Sequence, residues 1–232
     1  MPLVDDIDQL RNDTVAALND AHDYYWNTSA AWRLVQNMVH QGRSILIKNA
    51  PTGSTIRGPE LSLLGQKYVA SYLSSATFQH FIALFEWFAV DFMKLWLRAH
   101  PGSLGKQQVD VATILTCHDK SEIVERAIEK RLLDVAYGPI TKWMNYIEQT
   151  TGISCLDSNQ VQRLSEIKAS RDLLAHNNGI VNSLYRERAG DHARFHDGDT
   201  LELPAHYHRE SWEFIRQTVN DIADAGIDKM QS

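Results

Sequence analysis

The residues best equipped for chemistry crowd into one stretch, Glu166 to Gly179. It carries Glu166, Lys168, Ser170, Arg171, Asp172 and His176, followed by Asn177-Asn178-Gly179. On a helix, Asp172 and His176 are four residues and about 40° apart, so the carboxylate can orient the imidazole. Lys168 and Arg171, three apart, share another edge. Arg171 and His176, five apart, stand about 140° from one another on an ideal helix. A long arginine and a helix that loosens at its Asn-Asn-Gly end still let both groups reach one phosphate lying across that end. Imidazole exchanges protons near neutrality, and a guanidinium grips two phosphate oxygens in a fork. The same residues also fit a purely local reading. A helix C-terminus collects cations and caps, and its dipole favours a protonated His176.

The elements that must position this segment are mostly helical by their periodicity. Ser158 is a good N-cap for a helix running to about Asn177, with Gly179 as its left-handed terminator. Phe78, Phe81, Phe85, Phe88, Phe92 and Leu95 form an aromatic stripe of core character, and Glu86 is the one acid at its centre. If Glu86 is buried it needs a partner, and Arg171 is a candidate; a solvent-facing Glu86 is the other reading. Residues 5–40 spell one long helix or two, and Gly42 ends the run. A connector over 43–58 holds a short strand at Ser44–Ile47, and Pro59 opens the next helix. Asp119 and Glu122 resemble a capping box. Gly138-Pro139 breaks the helix it opens, and a shorter helix with Trp143, Tyr146 and Ile147 ends at Gly152. Residues 180–200 contain Arg186, Arg188, Arg194 and an Asp197-Gly198 turn, and Leu201-Glu202-Leu203 alternates, which predicts a small β-hairpin or an excursion. A final helix covers about 205–225.

Composition bounds the function. The chain has 232 residues, 44% apolar and 22% charged, with a net charge of −6. That excludes intrinsic disorder, collagen, a coiled-coil rod and a uniformly basic nucleic-acid coat. Much of the acid is local: Asp5, Asp6, Asp8, Asp13, Asp20 and Asp23 stand against Arg11 alone within residues 1–23. The remainder is nearly neutral, so a small basic site is unopposed. The most apolar stretch, Phe78–Leu97, is interrupted by Glu86, Asp91 and Lys94 and is too polar for a membrane span. Two cysteines and no recognisable signal peptide predict a reducing, cytoplasmic setting.

Other constellations are weaker. His192, His196, His206 and His208 cluster, and His192-x3-His196 has zinc-compatible spacing only if helical. Glycines bracket it and no cysteine lies near, so a polar hairpin surface is the simpler reading and no metal is expected. Cys117 and His118 are adjacent and point apart, which suits a small buried thiol. A phosphate-binding Gly-x4-Gly-Lys-Ser/Thr loop is absent from the sequence. The six tryptophans, Trp87 among them, are most simply core.

Arg171-x4-His176, with a polar residue after the arginine and Asn177 after the histidine, resembles the signature of the HEPN superfamily. The longer string Ala169 to Asn182 looks most like its RiboL-PSP-HEPN branch. The preceding aromatic helix, the Phe195-x2-Gly198-Asp199-x-Leu201-x-Leu203 pattern and a last helix fit as well. The likeness covers roughly residues 78–225. It implies an all-α HEPN-like helical bundle at 59–232 carrying the small hairpin, with an N-terminal helical extension and connector at 1–58. It further implies a metal-independent, cofactor-free endoribonuclease acting as a homodimer, with Arg171, His176 and Asp172 catalytic. Lys168, Asn177, Asn178 and Glu86 would bind RNA or support the site. A toxin or effector of a bacterial defence or toxin–antitoxin system would then have RNA as substrate and an antitoxin or defence-system protein as partner. The departure is Asp172, where the family commonly has Asn. It keeps open a non-catalytic module that dimerises or binds RNA or protein.

Overall fold

A computed structural model describes residues 2–49, 51–106 and 108–231. Its organising element is α3 (Ser74–Ala99), whose Phe78, Phe81, Phe85, Phe88 and Phe92 are all fully buried. Their alternating three- and four-residue spacing keeps them on one stripe, and burying each ring contributes about 2–3 kcal/mol. Residues between the stripe positions must turn elsewhere. Glu86 sits at the stripe's edge, and Trp87 points outward, 51% exposed, not into the core its composition suggested. The helix α2 (Gly58–Lys67), opened by Pro59, runs into α3 through a wider π-helical segment, Tyr68–Leu73. His100-Pro101 ends α3, and Pro101–Leu104 forms a single 3₁₀ turn.

A single unbroken helix, α1 (Pro2–His40), fills the N-terminal region. Leu3, Ile7, Leu18 and Ala21 enter the same core as the α3 phenylalanines, so this segment packs along α3 and the last helix, α9 (Ala205–Gln231). The approach of α9 depends on Gly226, where a Cβ would come within 2.8 Å of the Phe92 ring. Between α3 and the site come α4 (Val111–Thr116), α5 (Lys120–Ala136), α6 (Ile140–Thr151) and α7 (Ser158–His176). Asp119 caps α5, but Glu122 reaches back to the His118 N–H rather than to Asp119, so only half of the expected box forms. Ile128, Val135, Trp143, Ile147 and Ile167 from α5, α6 and α7 close the core.

The only two-stranded sheet among the described residues is β1 (Leu46–Lys48) against β2 (Thr55–Arg57), antiparallel with Ile47 opposite Ile56. The expected strand at Ser44–Ile47 is thus present, shifted toward Lys48. The hairpin expected over 180–200 is not formed. Asn182 caps the Tyr185 N–H at 2.9 Å and starts a short helix, α8 (Ser183–Ala189), followed by a 3₁₀ turn at Gly190–His192. The Asp197-Gly198 turn does occur, yet the ends of the excursion meet only in an isolated bridge, Ile180 with Thr200, held by the Val181 N–H to the Asp199 carbonyl and the Leu201 N–H to the Gly179 carbonyl. The cause is the side chains: Val181, Tyr185, Ala189 and Leu201 make a small second core against Ala169 and Leu173 of α7, a spacing a helix satisfies and a hairpin does not. No helix among the described residues is long and apolar enough to cross a membrane.

Candidate functional site

The site is built on α7, which is fixed firmly at both ends. Asp157, not Ser158, is its N-cap. Its carboxylate accepts the Gln160 N–H at 2.8 Å while the Gln160 side chain accepts the Asp157 N–H at 2.9 Å, a reciprocal capping box. At the other end the N–H groups of Asn177 and Gly179 both reach the Leu173 carbonyl. That closure needs two successive left-handed residues, Asn178 (φ 51°) and Gly179 (φ 73°). Asn177 Nδ2 donates to the Ile180 carbonyl at 2.5 Å. Asn177 and Asn178 therefore terminate the helix and hold the turn after it.

The helix has two polar faces, roughly opposite: Lys168 lies about 200° around from Glu166. One face opens on a cleft of about 770 Å³ between α3, the α5–α6 junction, α7 and α8. There Arg171 donates to Glu86 Oε2 at 2.6 Å and to Asp172 Oδ1 at 3.0 Å. Lys168 Nζ bridges the same two carboxylates, 3.3 Å from Glu86 and 3.2 Å from Asp172. Arg188, arriving from α8, meets Asp172 Oδ2 at 3.0 Å. Three cations thus face two carboxylates in one connected, partly exposed array. Glu86 is the partner of Arg171 that the sequence allowed.

His176 also lines this cleft and is exposed; among the described residues it has no hydrogen-bond or ion-pair partner. The expected Asp172–His176 hydrogen bond is therefore corrected. The Asp172 carboxylate is taken up by three cations, and it organises Lys168, Arg171 and Arg188 instead. Chemically the cleft offers an exposed, unpartnered imidazole beside a set of guanidinium and ammonium donors able to take a phosphate.

The opposite face is closed. Glu166, 2% exposed, accepts from Arg194 Nε at 3.0 Å, Tyr185 OH at 2.9 Å, Ser170 Oγ at 2.7 Å and Tyr207 OH at 2.6 Å. The Arg194 guanidinium lies 3.4 Å from the Tyr207 ring centroid. Burial, and then the Glu166 charge, push the Tyr185 phenol up to about 12 and raise that of Tyr207, so both stay protonated donors. This network ties the 180–204 excursion and the start of α9 to α7, and so delivers Arg188 to the cleft.

Sequence reasoning missed three cleft residues. Arg188 was visible only as one of several arginines; the Asn182 cap was the signal that it rides on a helix. Trp87 falls off the α3 stripe by periodicity, which marks it as outward-facing. Tyr137, 86% exposed, precedes the Gly138-Pro139 break and cannot join the buried face of α5. The histidine cluster disperses: His208 is fully buried, hydrogen-bonded to Thr77 Oγ1 at 2.8 Å, while His196 is exposed. Among the described residues no three His, Cys, Asp or Glu side chains converge as metal ligands. Cys117 and Cys155 are both free, and burial pushes the Cys155 thiol up to about 11. No protein-family model, curated protein or solved structure matches the chain.

Proposed function

We propose that this chain is a HEPN-like endoribonuclease that cleaves RNA through its own 2′-OH, without a metal ion. The observation that carries the reading is an exposed, unpaired His176 on the wall of the same cleft as Lys168, Arg171 and Arg188. RNA holds its nucleophile beside the scissile phosphate. The protein has only to accept that proton, protonate the leaving 5′-oxygen and stabilise charge on the phosphoryl oxygens. His176 suits the proton transfers. Arg171 suits the oxygens, once phosphate displaces Glu86 or Asp172 from it, and Lys168 and Arg188 add positive charge around it. The products are a 2′,3′-cyclic phosphate and a 5′-OH. One chain supplies one histidine for two proton transfers, so the active form in this reading is a two-fold homodimer, a common symmetry, with His176 of each copy serving one cleft. The biological setting that goes with this activity is a toxin or defence effector held in check by a partner protein.

One feature favours a second reading, a non-catalytic RNA-binding or protein-binding module: Arg171 is held from both sides by Glu86 and Asp172. A cleavage assay in excess EDTA separates the two. Nuclease action is expected to persist there, to spare a DNA strand of the same sequence, and to stop when the cut position carries a 2′-O-methyl group. Dependence on magnesium or cutting of DNA overturns the mechanism, and intact RNA under every condition selects the binding module.

A further inference from the structure

The cleft has a second half that the cleavage chemistry does not use. Besides the ionic array, the cleft is lined by Trp87 and Val90 of α3 and by Tyr137, Gly138 and Pro139 at the α5–α6 junction. Two large aromatic rings stand exposed there, Trp87 at 51% and Tyr137 at 86%. Neither contributes to the core, and neither has a ring or cation–π partner among the described residues. Other aromatics of the chain are exposed too, Tyr24 and Tyr72 among them, but these two share a cleft with a cationic array, and that combination suits a ligand that is apolar and flat at one end and anionic at the other. The array of Lys168, Arg171 and Arg188 exceeds its paired carboxylates by one charge, with an exposed Glu187 on the rim.

A nucleotide has that division, a planar base joined to a phosphate. We infer that the Trp87–Tyr137 wall is a nucleobase subsite, and that the substrate is therefore single-stranded, with an unpaired base stacked on this wall while its phosphate lies on the Lys168–Arg188 side. This rests on the reading of the cleft as an RNA site, and it names the class of RNA. In a duplex the base faces are already stacked on their neighbours and cannot reach the wall. Stacking on an aromatic side chain tolerates any base, since every base has a π face, so the subsite selects strandedness over sequence. Tyr137 is exposed enough to be removed without harm to the fold, and Trp87, about half covered, is best replaced by a smaller ring as well as by alanine.

The test is binding of a fluorescent single-stranded RNA to the full chain carrying His176→Ala, which keeps the strand intact. Its competitors are the same strand annealed to its complement and an abasic ribose-phosphate oligomer of equal length. The duplex and the abasic oligomer are expected to bind at least roughly tenfold more weakly. Tyr137→Ala and Trp87→Ala should each weaken the single strand roughly tenfold and leave the abasic oligomer unaffected; Tyr137→Phe and Trp87→Phe should restore binding. Unchanged melting is expected for Tyr137→Ala from its exposure, and a small loss for the half-covered Trp87→Ala, with binding measured well below either melting temperature. Equal affinity for the abasic oligomer, or alanine variants that bind the single strand like the parent, overturn the subsite. No binding of any RNA overturns it together with the nuclease reading. Aromatic-dependent binding by a wild-type chain that leaves RNA uncut keeps the subsite and sinks the nuclease.

Discussion

The two polar faces of α7 hold the same kinds of residue in different states. On the inner face Glu166 has a full complement of donors, Arg194, Tyr185, Ser170 and Tyr207, and almost no contact with water. On the cleft face Glu86 and Asp172 are shared among Lys168, Arg171 and Arg188, and the side chains are between 15% and 39% exposed. The Glu166 carboxylate is closed to water, whereas both carboxylates of the cleft face are open to it. A buried, saturated carboxylate fixes geometry, whereas a shared, wetted one can release its cation to a ligand. The first holds the excursion that carries Arg188, and in the proposed function the second meets the ligand.

Stability should separate the two faces most sharply. Glu166→Ala takes the shared acceptor from two phenols, a hydroxyl and the partly buried Arg194 guanidinium around a buried position and is expected to cost about 3–5 kcal/mol in urea unfolding. Glu86→Ala removes one acceptor from Lys168 and Arg171, which keep Asp172 as the other, and should cost less, about 2 kcal/mol. Equal losses would mean that the cleft array is as structural as the inner one.

A neighbouring buried group extends the contrast to pH. The His208 imidazole is fully buried beside Tyr207, stacked on Tyr25, and burial pushes its pKa down to about 4, with His22 adding a smaller push in the same direction. Between pH 6.5 and about 4 the unfolded chain takes up a proton that the folded chain refuses. Folding stability should therefore fall as pH is lowered through that window and level off below it, by about 3 kcal/mol in all. His208→Gln should remove that part of the slope. An unaltered slope would place the acid sensitivity elsewhere.

Much of this arrangement could be read from the residue order, and what could not has a physical reason. The α3 stripe, the helix breaks at Gly138-Pro139 and Gly152, and the Arg171–His176 segment follow from local period and capping, which short stretches of chain encode. The role of Glu166 depends on Arg194 and Tyr207, 28 and 41 residues downstream, and no local pattern distinguishes a carboxylate that will be buried from one that will be solvated. Asp172 was paired with His176 because helical spacing allows it; the cation that competes most from outside the helix, Arg188, comes from α8, which sequence spacing cast as a hairpin. Ser158 lost the N-cap to Asp157 by one residue, because only Asp157 has Gln160 three positions on to complete the box.

That box supplies the smallest expected effect. Asp157→Ala should cost about 1 kcal/mol of stability, since it frees one end of α7 without touching either ionic face. RNA affinity measured well below the melting temperature should not change. A large loss of affinity would show that the position of the cleft face depends on the helix start as much as on the Glu166 network.

The most direct test of the account is RNA cleavage by wild type, Arg171→Ala and His176→Ala, with the melting temperature of each protein taken in parallel. The wild type is expected to cut, each variant to lose at least about 100-fold, and His176→Ala to melt like wild type because its side chain has no partner in the fold. Variants that cut as fast as wild type while melting earlier would contradict it and leave Arg171 and His176 as parts of a capped helix end.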